Sequence, residues 1–358
     1  GTGAYYATGD DTELIAFNSI FWNTGLYEIY LSGASYHDEI ARVGQCLIEG
    51  GTTSGMYEGD GDLYTYGSIT TGDPAFADTT GGDYHLSAQS AAISAGADQL
   101  SINSVTYTAP ARDMDGVARP NPEATTLDLG AYEHENGVGP YDGPVWYVNG
   151  AEALPYGNGS LSAPYSMIGP AIGAAEDGDT VHVAAATYVE NINSNGKNIV
   201  VLGENMETTI IDGNQAGRVV YVDSDIEISG FTITNGDHSG VGTGMNVWNS
   251  NPIVRDCKFI DNNNGHLGLA ACENARFINC MFLEQKDDVW PINSDNGTKG
   301  GEFINCVIDA DGKEEAFLSN GYPSLINCTV FNYKSVAYAC FGQGTVAIIN
   351  SIFLPATG

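Results

Sequence analysis

The sequence has 358 residues, with 12 Lys and Arg against 45 Asp and Glu and a formal charge of −33, which excludes nucleic acid as a partner and weighs against anionic polysaccharides, because both demand clustered cations. No apolar run reaches the roughly 18 residues of a membrane span, and residues 1–30 lack the basic start and apolar core of a secretory signal, so the chain reads as mature or as a fragment. Its 46 Gly and 20 Tyr point to a soluble, β-rich protein.

From the amino terminus, the first recognisable elements are two copies of one phrase, Asn18-Ser19-Ile20-Phe21 and Gln45-Cys46-Leu47-Ile48. Residues 73–133 have a different texture of short acidic and glycine-containing motifs, and the Gly- and Pro-rich stretch 136–145 reads as a linker. Ala163 to Glu176 places Tyr165, Ile168, Ala171, Ile172 and Ala175 at helical spacing, interrupted by Gly169, Pro170 and Gly173, and predicts a short helix. Thr180 to Ala184 is read as the first strand after it, and Ile199 to Gly203 opens another coil. The phrase then returns in Ile228-Ser229-Gly230-Phe231, Asp256-Cys257-Lys258-Phe259, Asn279-Cys280-Met281-Phe282, Asn305-Cys306-Val307-Ile308, Asn327-Cys328-Thr329-Val330 and Asn350-Ser351-Ile352-Phe353.

With the Cys or Ser as marker, successive gaps are 23, 26, 22 and 23 residues from Cys257 to Ser351, and 27 from Ser19 to Cys46. Three places before the marker stand Val254, Phe277, Phe303, Leu325, Ile348, Ala16 and Val43; two places after it stand Phe259, Phe282, Ile308, Val330, Phe353, Phe21 and Ile48. Both columns are apolar while their neighbours vary freely, the alternation of strands with one buried face. The Asn, Asp or Gln between them can satisfy backbone groups at a bend and stack on its counterpart one coil away. Strand, polar corner and strand at this period predict an all-β chain, a right-handed parallel β-helix (solenoid) with the 163–176 segment as a short capping helix. Cys257, Cys280, Cys306 and Cys328 occupy a position that Ser and Phe also fill, so they are read as small inward residues stacked on one another rather than a disulfide framework.

The predicted helix, with Asp177-Gly178-Asp179-Thr180-Val181-His182-Val183 and Ala186-Thr187-Tyr188-Val189-Glu190 after it, resembles the amino-terminal cap and first coil of pectate-lyase-like β-helix proteins. Asp73-Pro74-Ala75-Phe76, Asp83-Tyr84-His85-Leu86, Ser90 to Gly96, Asp113-Met114-Asp115-Gly116 with Arg119, and Asp128-Leu129-Gly130-Ala131-Tyr132-Glu133 resemble the closing segment of secreted microbial β-helix surface proteins of the choice-of-anchor type, with Ala91 where Pro is usual. In that family the segment ends the helix, whereas here it precedes the cap. The order is that of a circular permutation: residues 1–135 correspond to the carboxy-terminal coils and closing segment of a module, 136–145 to the linker, and 146–358 to the amino-terminal cap and coils.

Counting from Ser351 through Gly358 into Ser19 of a following copy gives 26 residues, which keeps the period. Folding residues 1–70 back over the coils would need on the order of 50 Å from a linker that reaches roughly 40 Å. The expectation is therefore an extracellular or cell-surface structural protein, the subunit or repeat unit of a head-to-tail β-helix filament or fibre, with further copies of itself as partner. A fragment spanning two neighbouring modules would share the same fold. The alternative is a carbohydrate-binding or polysaccharide-cleaving β-helix, lyase or hydrolase, with a cell-surface or matrix polysaccharide as partner.

Catalysis is not expected. A lyase would draw on Arg255, Lys258, Arg276 and Lys286 beside Asp256, Asp287, Asp288 and Asp295, yet Arg255 and Lys258 fall in outward columns where solvated charge is normal. A pectin hydrolase of this fold would carry Asn-Thr-Asp, an Asp pair and Gly-His-Gly; Asp287-Asp288 and Gly265-His266-Leu267-Gly268 are reminiscent only in part and stand in the wrong order. The six histidines show no metal-ligand spacing. Asp113 with Asp115, and Asp309 with Asp311, alternate as acids do in calcium loops, though neither completes the pattern. Calcium is the one cofactor they suggest, with a fibre that loosens in chelator as the expectation. Leu354-Pro355-Ala356-Thr357-Gly358 matches a cell-wall sorting pentapeptide and is read as a loop. Tyr5, Tyr6, Tyr64, Tyr66, Trp248 and Trp290 are candidates for stacking on sugars, and Asn158, Asn296 and Asn327 head glycan-acceptor triplets, Asn327 at a corner expected to be internal.

Overall fold

In the computed structural model the recurring phrase is the bend between two strands of a parallel β-solenoid. The structure describes residues 5–7, 13–22, 27–31, 39–59, 61–151, 157–284, 290–294, 300–313, 317–319, 322–335, 339–340 and 346–356. The chain divides into two compact units, Gly1–Tyr141 with Leu154–Asn158 and Asp142–Ala153 with Gly159–Gly358.

Among the described residues, the second unit is built from three parallel sheets. The first has nine strands, from Val145–Val148 through Arg276–Ile278 to Ala347–Ile349; the second has eight, from Ala186–Val189 through Met281–Leu283 to Ile352–Pro355; the third has seven, from Ile192–Asn193 through Leu267–Ala270 to Ala339–Cys340. The two apolar columns stack in register, Val254 on Phe277, Phe303 and Leu325, and Phe259 on Phe282, Ile308 and Val330. All eight side chains are buried. Phe277 and Phe303 lie face to face at 5.0 Å and Phe259 and Phe282 at 4.8 Å, while Phe277 meets Phe282 edge-on at 6.4 Å. Each such ring contributes about 1.5–3 kcal/mol from burial, and each aromatic pair about 0.5–1.5 kcal/mol more.

The corner between the columns has a fixed backbone conformation. Asp256, Asn279, Asn305, Asn327 and Asn350 all have φ between 48° and 56°, and the same place one coil earlier is Gly230 at 81°. This left-handed region costs an ordinary L-residue about 1–2 kcal/mol, and Gly, Asn and Asp tolerate it best. The corner N–H groups reach forward to the next coil, Asn279 to Ile304 O and Asn305 to Ile326 O, both at 2.9 Å. The amides also form a ladder, Asn279 Nδ2 donating to Asp256 Oδ1 at 3.0 Å and Asn305 Nδ2 to Asn279 Oδ1 at 3.2 Å. The ladder lies on the surface, so Asn327 is exposed and not internal as expected from its sequence position: the αL turn brings the following marker inside and leaves the amide outside.

The marker thiols behave as small hydrophobes with weak donors. Cys257, Cys280, Cys306 and Cys328 are free and buried, and Cys306 Sγ donates to Phe277 O and Cys328 Sγ to Phe303 O, each at 3.3 Å. Burial pushes the Cys257 thiol up to about 12, which removes the reactive thiolate at ordinary pH.

The solenoid begins earlier than the sequence pattern implies. Val145–Val148, which straddles the boundary drawn between linker and cap, is the first strand and pairs with Thr180–Val183, Trp146 on Val181 and Val148 on Val183. Trp146 Nε1 donates to Asp179 Oδ2 at 2.8 Å. The capping helix is Ile168–Ala174, with Ile168, Ala171 and Ile172 buried. Glu190 receives Ile168 N and Gly169 N at 2.7 and 2.9 Å, while Lys197 Nζ donates to Ile172 O and Gly173 O at 2.9 and 2.6 Å. A carboxylate at the amino end and an ammonium at the carboxy end thus satisfy free backbone groups and complement the peptide dipoles.

The first unit repeats the coil in smaller form. Glu13–Phe17 and Ile20–Phe21 both pair with Ile40–Ile48, Ala16 on Val43 and Phe21 on Ile48, as their columns require. Asn18 and Gln45 make the αL corners at φ 50° and 47°. Asp62–Thr70, a coil the sequence pattern did not reveal, pairs with the other side of Ile40–Ile48 and sets Thr65 on Val43.

The corner geometry predicts that Asn305→Ala lowers the stability of the second unit by about 2 kcal/mol, combining the αL cost with one lost hydrogen bond, whereas Asn305→Gly lowers it far less. Urea unfolding of the two variants side by side checks this; equal losses would show that the backbone conformation is not the controlling factor.

Candidate functional site

The motifs of the closing segment converge in the first unit on one polar network. Asp113 Oδ1 accepts Asp115 N at 3.0 Å and Val117 N at 2.8 Å, and its Oδ2 accepts Glu133 N at 3.0 Å. Burial pulls the Asp113 carboxyl upward, but these N–H groups and the Arg119 charge outweigh it and hold the group below its ordinary value. Arg119 Nε meets Glu133 Oε1 at 2.6 Å, a pair with almost no solvent exposure, and Arg119 Nη2 donates to Asp128 O at 2.7 Å. Asp128, fully buried, accepts Ser94 N at 2.7 Å and His134 N at 2.6 Å. Burial pushes its carboxyl up to about 7 against the pull of those donors.

At the surface end of the network, His85 lies between two carboxylates, Nδ1 2.5 Å from Asp83 Oδ1 and Nε2 2.7 Å from Asp115 Oδ2, with its ring 4.0 Å from that of Tyr132. Hydrogen bonds to Asp115 and Asp83 raise the imidazole above its ordinary value. The role of His85 was not visible in the sequence, although the alternation of Asp83 and His85 is the signal that carries it.

The calcium candidates are two separate acidic turns. Asp113 and Asp115 belong to the first unit and Asp309 and Asp311 to the second. Asp309 Oδ1 accepts Asp311 N at 2.8 Å and Asn332 Nδ2 at 3.1 Å, and Asp311 Oδ2 lies 4.0 Å from Lys313 Nζ. Among the described residues no group of three or more His, Cys, Asp or Glu could hold a metal ion. Arg255, Lys258 and Arg276 pair with Glu227, Glu207 and Glu302 at 2.7, 2.6 and 3.0 Å; Lys286, Asp287, Asp288 and Asp295 lie outside the described residues, as does Asn296. His266 is buried, with Nδ1 3.2 Å from Asn262 Nδ2. Of the aromatics, Tyr64 is exposed beneath the Arg42 guanidinium at 4.7 Å and Trp248 is exposed on the third sheet of the second unit. A groove of about 470 Å³ on the first sheet is lined by Glu273, Arg276, Glu302 and Tyr322, where Arg276 is already paired with Glu302.

The remaining distinctive feature is the state of the edge coils. In the second unit, Ala347–Ile349 and Ile352–Pro355 pair on one side only among the described residues. Their large side chains are half open to solvent: Ile348 is 49% exposed, Ile349 49%, Ile352 55% and Leu354 52%. In the first unit, Glu13–Phe17 and Ile20–Phe21 likewise pair on one side, with Leu14 and Phe21 only partly buried and Trp22 37% exposed. The opposite edge of that unit is built differently. Asp62–Thr70 carries a bulge between Gly44 and Cys46 of its partner strand and places exposed Thr65 in the inner column. Bulges and polar residues are the usual devices that stop a sheet edge from pairing further.

No protein-family model and no curated protein matches the chain. No helix among the described residues is long and apolar enough to cross a membrane. The chemistry on view is therefore that of a hydrogen-bonded closing network and of apolar coil edges.

The network gives the first unit a definite pH response. The folded values of Asp128 and His85 stand above their ordinary 3.8 and 6.5. The fold accordingly favours both protonated forms, and that contribution is lost as pH rises, from near 4 to near 7 for Asp128 and above 6.5 for His85. Calorimetry should find the first unit melting several degrees lower at pH 8.5 than at pH 5, with most of the difference absent in Asp128→Asn; a melting temperature that rises over this range would contradict the assignment.

Proposed function

We propose that the protein is an extracellular structural β-solenoid whose modules join end to end, as a filament or as the repeat unit of a surface fibre. The contrast between edges carries this reading: one edge coil of the first unit is blunted by a bulge and Thr65, whereas 13–22 and 347–354 keep the apolar columns of interior coils. An apolar inner column at an edge is wasteful unless another coil covers it. Covering Ile348 in the inner column contributes about 1 kcal/mol and the outward-facing Ile349, Ile352 and Leu354 a smaller amount each, before the hydrogen bonds of the added strands and the cost of association. The occupant that matches is another copy of this chain, attached by a peptide bond or by stacking alone. The charge of −33 keeps such assemblies from collapsing sideways, and the resemblance to secreted surface β-helix proteins supports the location.

Sedimentation velocity over a wide concentration range tests the proposal. The chain should form larger species as concentration rises, and Ile348→Asp with Ile352→Asp should abolish them while leaving the β-sheet circular dichroism unchanged. A monomer at every concentration would overturn end-to-end assembly of this chain.

A further inference from the structure

The edge coils also define how the ends meet. We infer that the joint is an in-register continuation of the solenoid, in which Asn350 of one copy lies on Asn18 of the next; the inference rests on the end-to-end reading above. Both residues are αL corners, at φ 48° and 50°, and each is followed by a serine at the marker position. Aligning them sets Ile348 on Ala16 and Phe353 on Phe21 in the inner columns. On the outer face it sets Ile349 on Phe17, Ile352 on Ile20 and Leu354 on Trp22. Each of the four exposed apolar side chains of the carboxy-terminal coil thus gains an apolar neighbour.

Other registers lose this. A slip of one residue exchanges inner and outer faces along both strands. A slip of two, in either direction, sets the Asn350 corner against the extended backbone of Ala16 or Ile20. The side chain of Asn18 is already held by the closing segment, Nδ2 donating to Ala97 O at 2.7 Å and Oδ1 accepting Ala97 N at 3.0 Å. The Asn18 side chain is thus committed to its own closing segment, and the apolar columns carry the register.

The marker column changes chemistry at these two coils. Interior coils place buried thiols there, whereas Ser351 and Ser19 are only part-buried. Ser351 Oγ keeps the carbonyl contacts of the thiols, donating to Ile349 O at 3.0 Å and Leu325 O at 3.3 Å, and Ser19 Oγ donates to Phe17 O at 3.0 Å. A hydroxyl makes these bonds without the oxidation that an uncovered thiol would risk before assembly.

The test is site-directed cross-linking of the full chain. Leu354→Cys with Trp22→Cys places two exposed thiols on adjacent strands about 4.8 Å apart, inside the range a disulfide bridges. With diamide as oxidant, this variant should give a reducible ladder of multimers on a denaturing gel. Each single variant should give nothing larger than a dimer, and the shifted pair Leu354→Cys with Ile20→Cys should give no ladder. A ladder from the shifted pair, or large species in sedimentation without a ladder from the matched pair, would overturn the register while leaving end-to-end assembly standing. Absence of large species from the unmodified chain would overturn both.

Discussion

From Gly230 onward, one residue at the corner of each coil turns the chain through the left-handed region, and that part of the solenoid is arranged around that demand. At φ near 50° the chain bends sharply enough for the residues on either side to face a common interior. Gly, Asn and Asp meet this at the lowest cost, which explains why the corner in the second unit is Gly230, Asp256 and then a run of Asn, although Gln45 takes it in the first unit. Because the corners from Gly230 to Asn350 are alike, these coils arrive in the same register, and identical columns fall on one another. The stacked phenylalanines and thiols are consequences of that regularity, and so is the surface amide ladder, since an αL asparagine has its side chain outside and its neighbour one coil away.

The first unit meets a different demand. Its coils are few, so a small core of Ile29, Leu31, Val43, Cys46 and Ile48 is supplemented by a segment lying across the corner face. There Leu47 packs with Leu86, Ile93 and Leu129, and Asn18 is gripped by Ala97 and Gly130. Little apolar surface is available to hold such a segment, and the network of Asp113, Arg119, Asp128 and Glu133 provides fixed hydrogen bonds in its place. Buried charges are tolerated because each carboxylate is met by backbone N–H groups or by Arg119. Carboxylates that look like fragments of calcium loops thus serve as clamps on the backbone, as Asp113 does for Asp115, Val117 and Glu133.

The coils were legible in the sequence because their inner columns are apolar at every repeat, Phe277 over Phe303 and Phe259 over Phe282. Where that regularity lapses, legibility lapses too. Asp62–Thr70 is hidden because Thr65 sits where an apolar residue would have marked the column, and Val145–Val148 because a four-residue run at the end of a Gly- and Pro-rich stretch shows no strand partner until Thr180–Val183 pairs with it. The third sheet was not placed at all, since its strands, such as Met245–Trp248 and Leu267–Ala270, follow loops of variable length. The substitution of Gly230 for Asn at a corner was the available sign of an αL backbone. In the closing segment the motifs were visible, but their roles depend on residues far apart in sequence, such as His85 and Asp115, and only the fold unites them.

Under the proposed end-to-end assembly, the lattice of coils continues from one copy into the next. Cryo-electron microscopy of the assembled protein, with helical reconstruction, examines that lattice directly. The expected result is an unbroken strand spacing of about 4.8 Å across the junction, with Ile348 over Ala16 and Phe353 over Phe21. Copies joined side by side, or separated by a gap in that spacing at Ala347–Pro355, would contradict it.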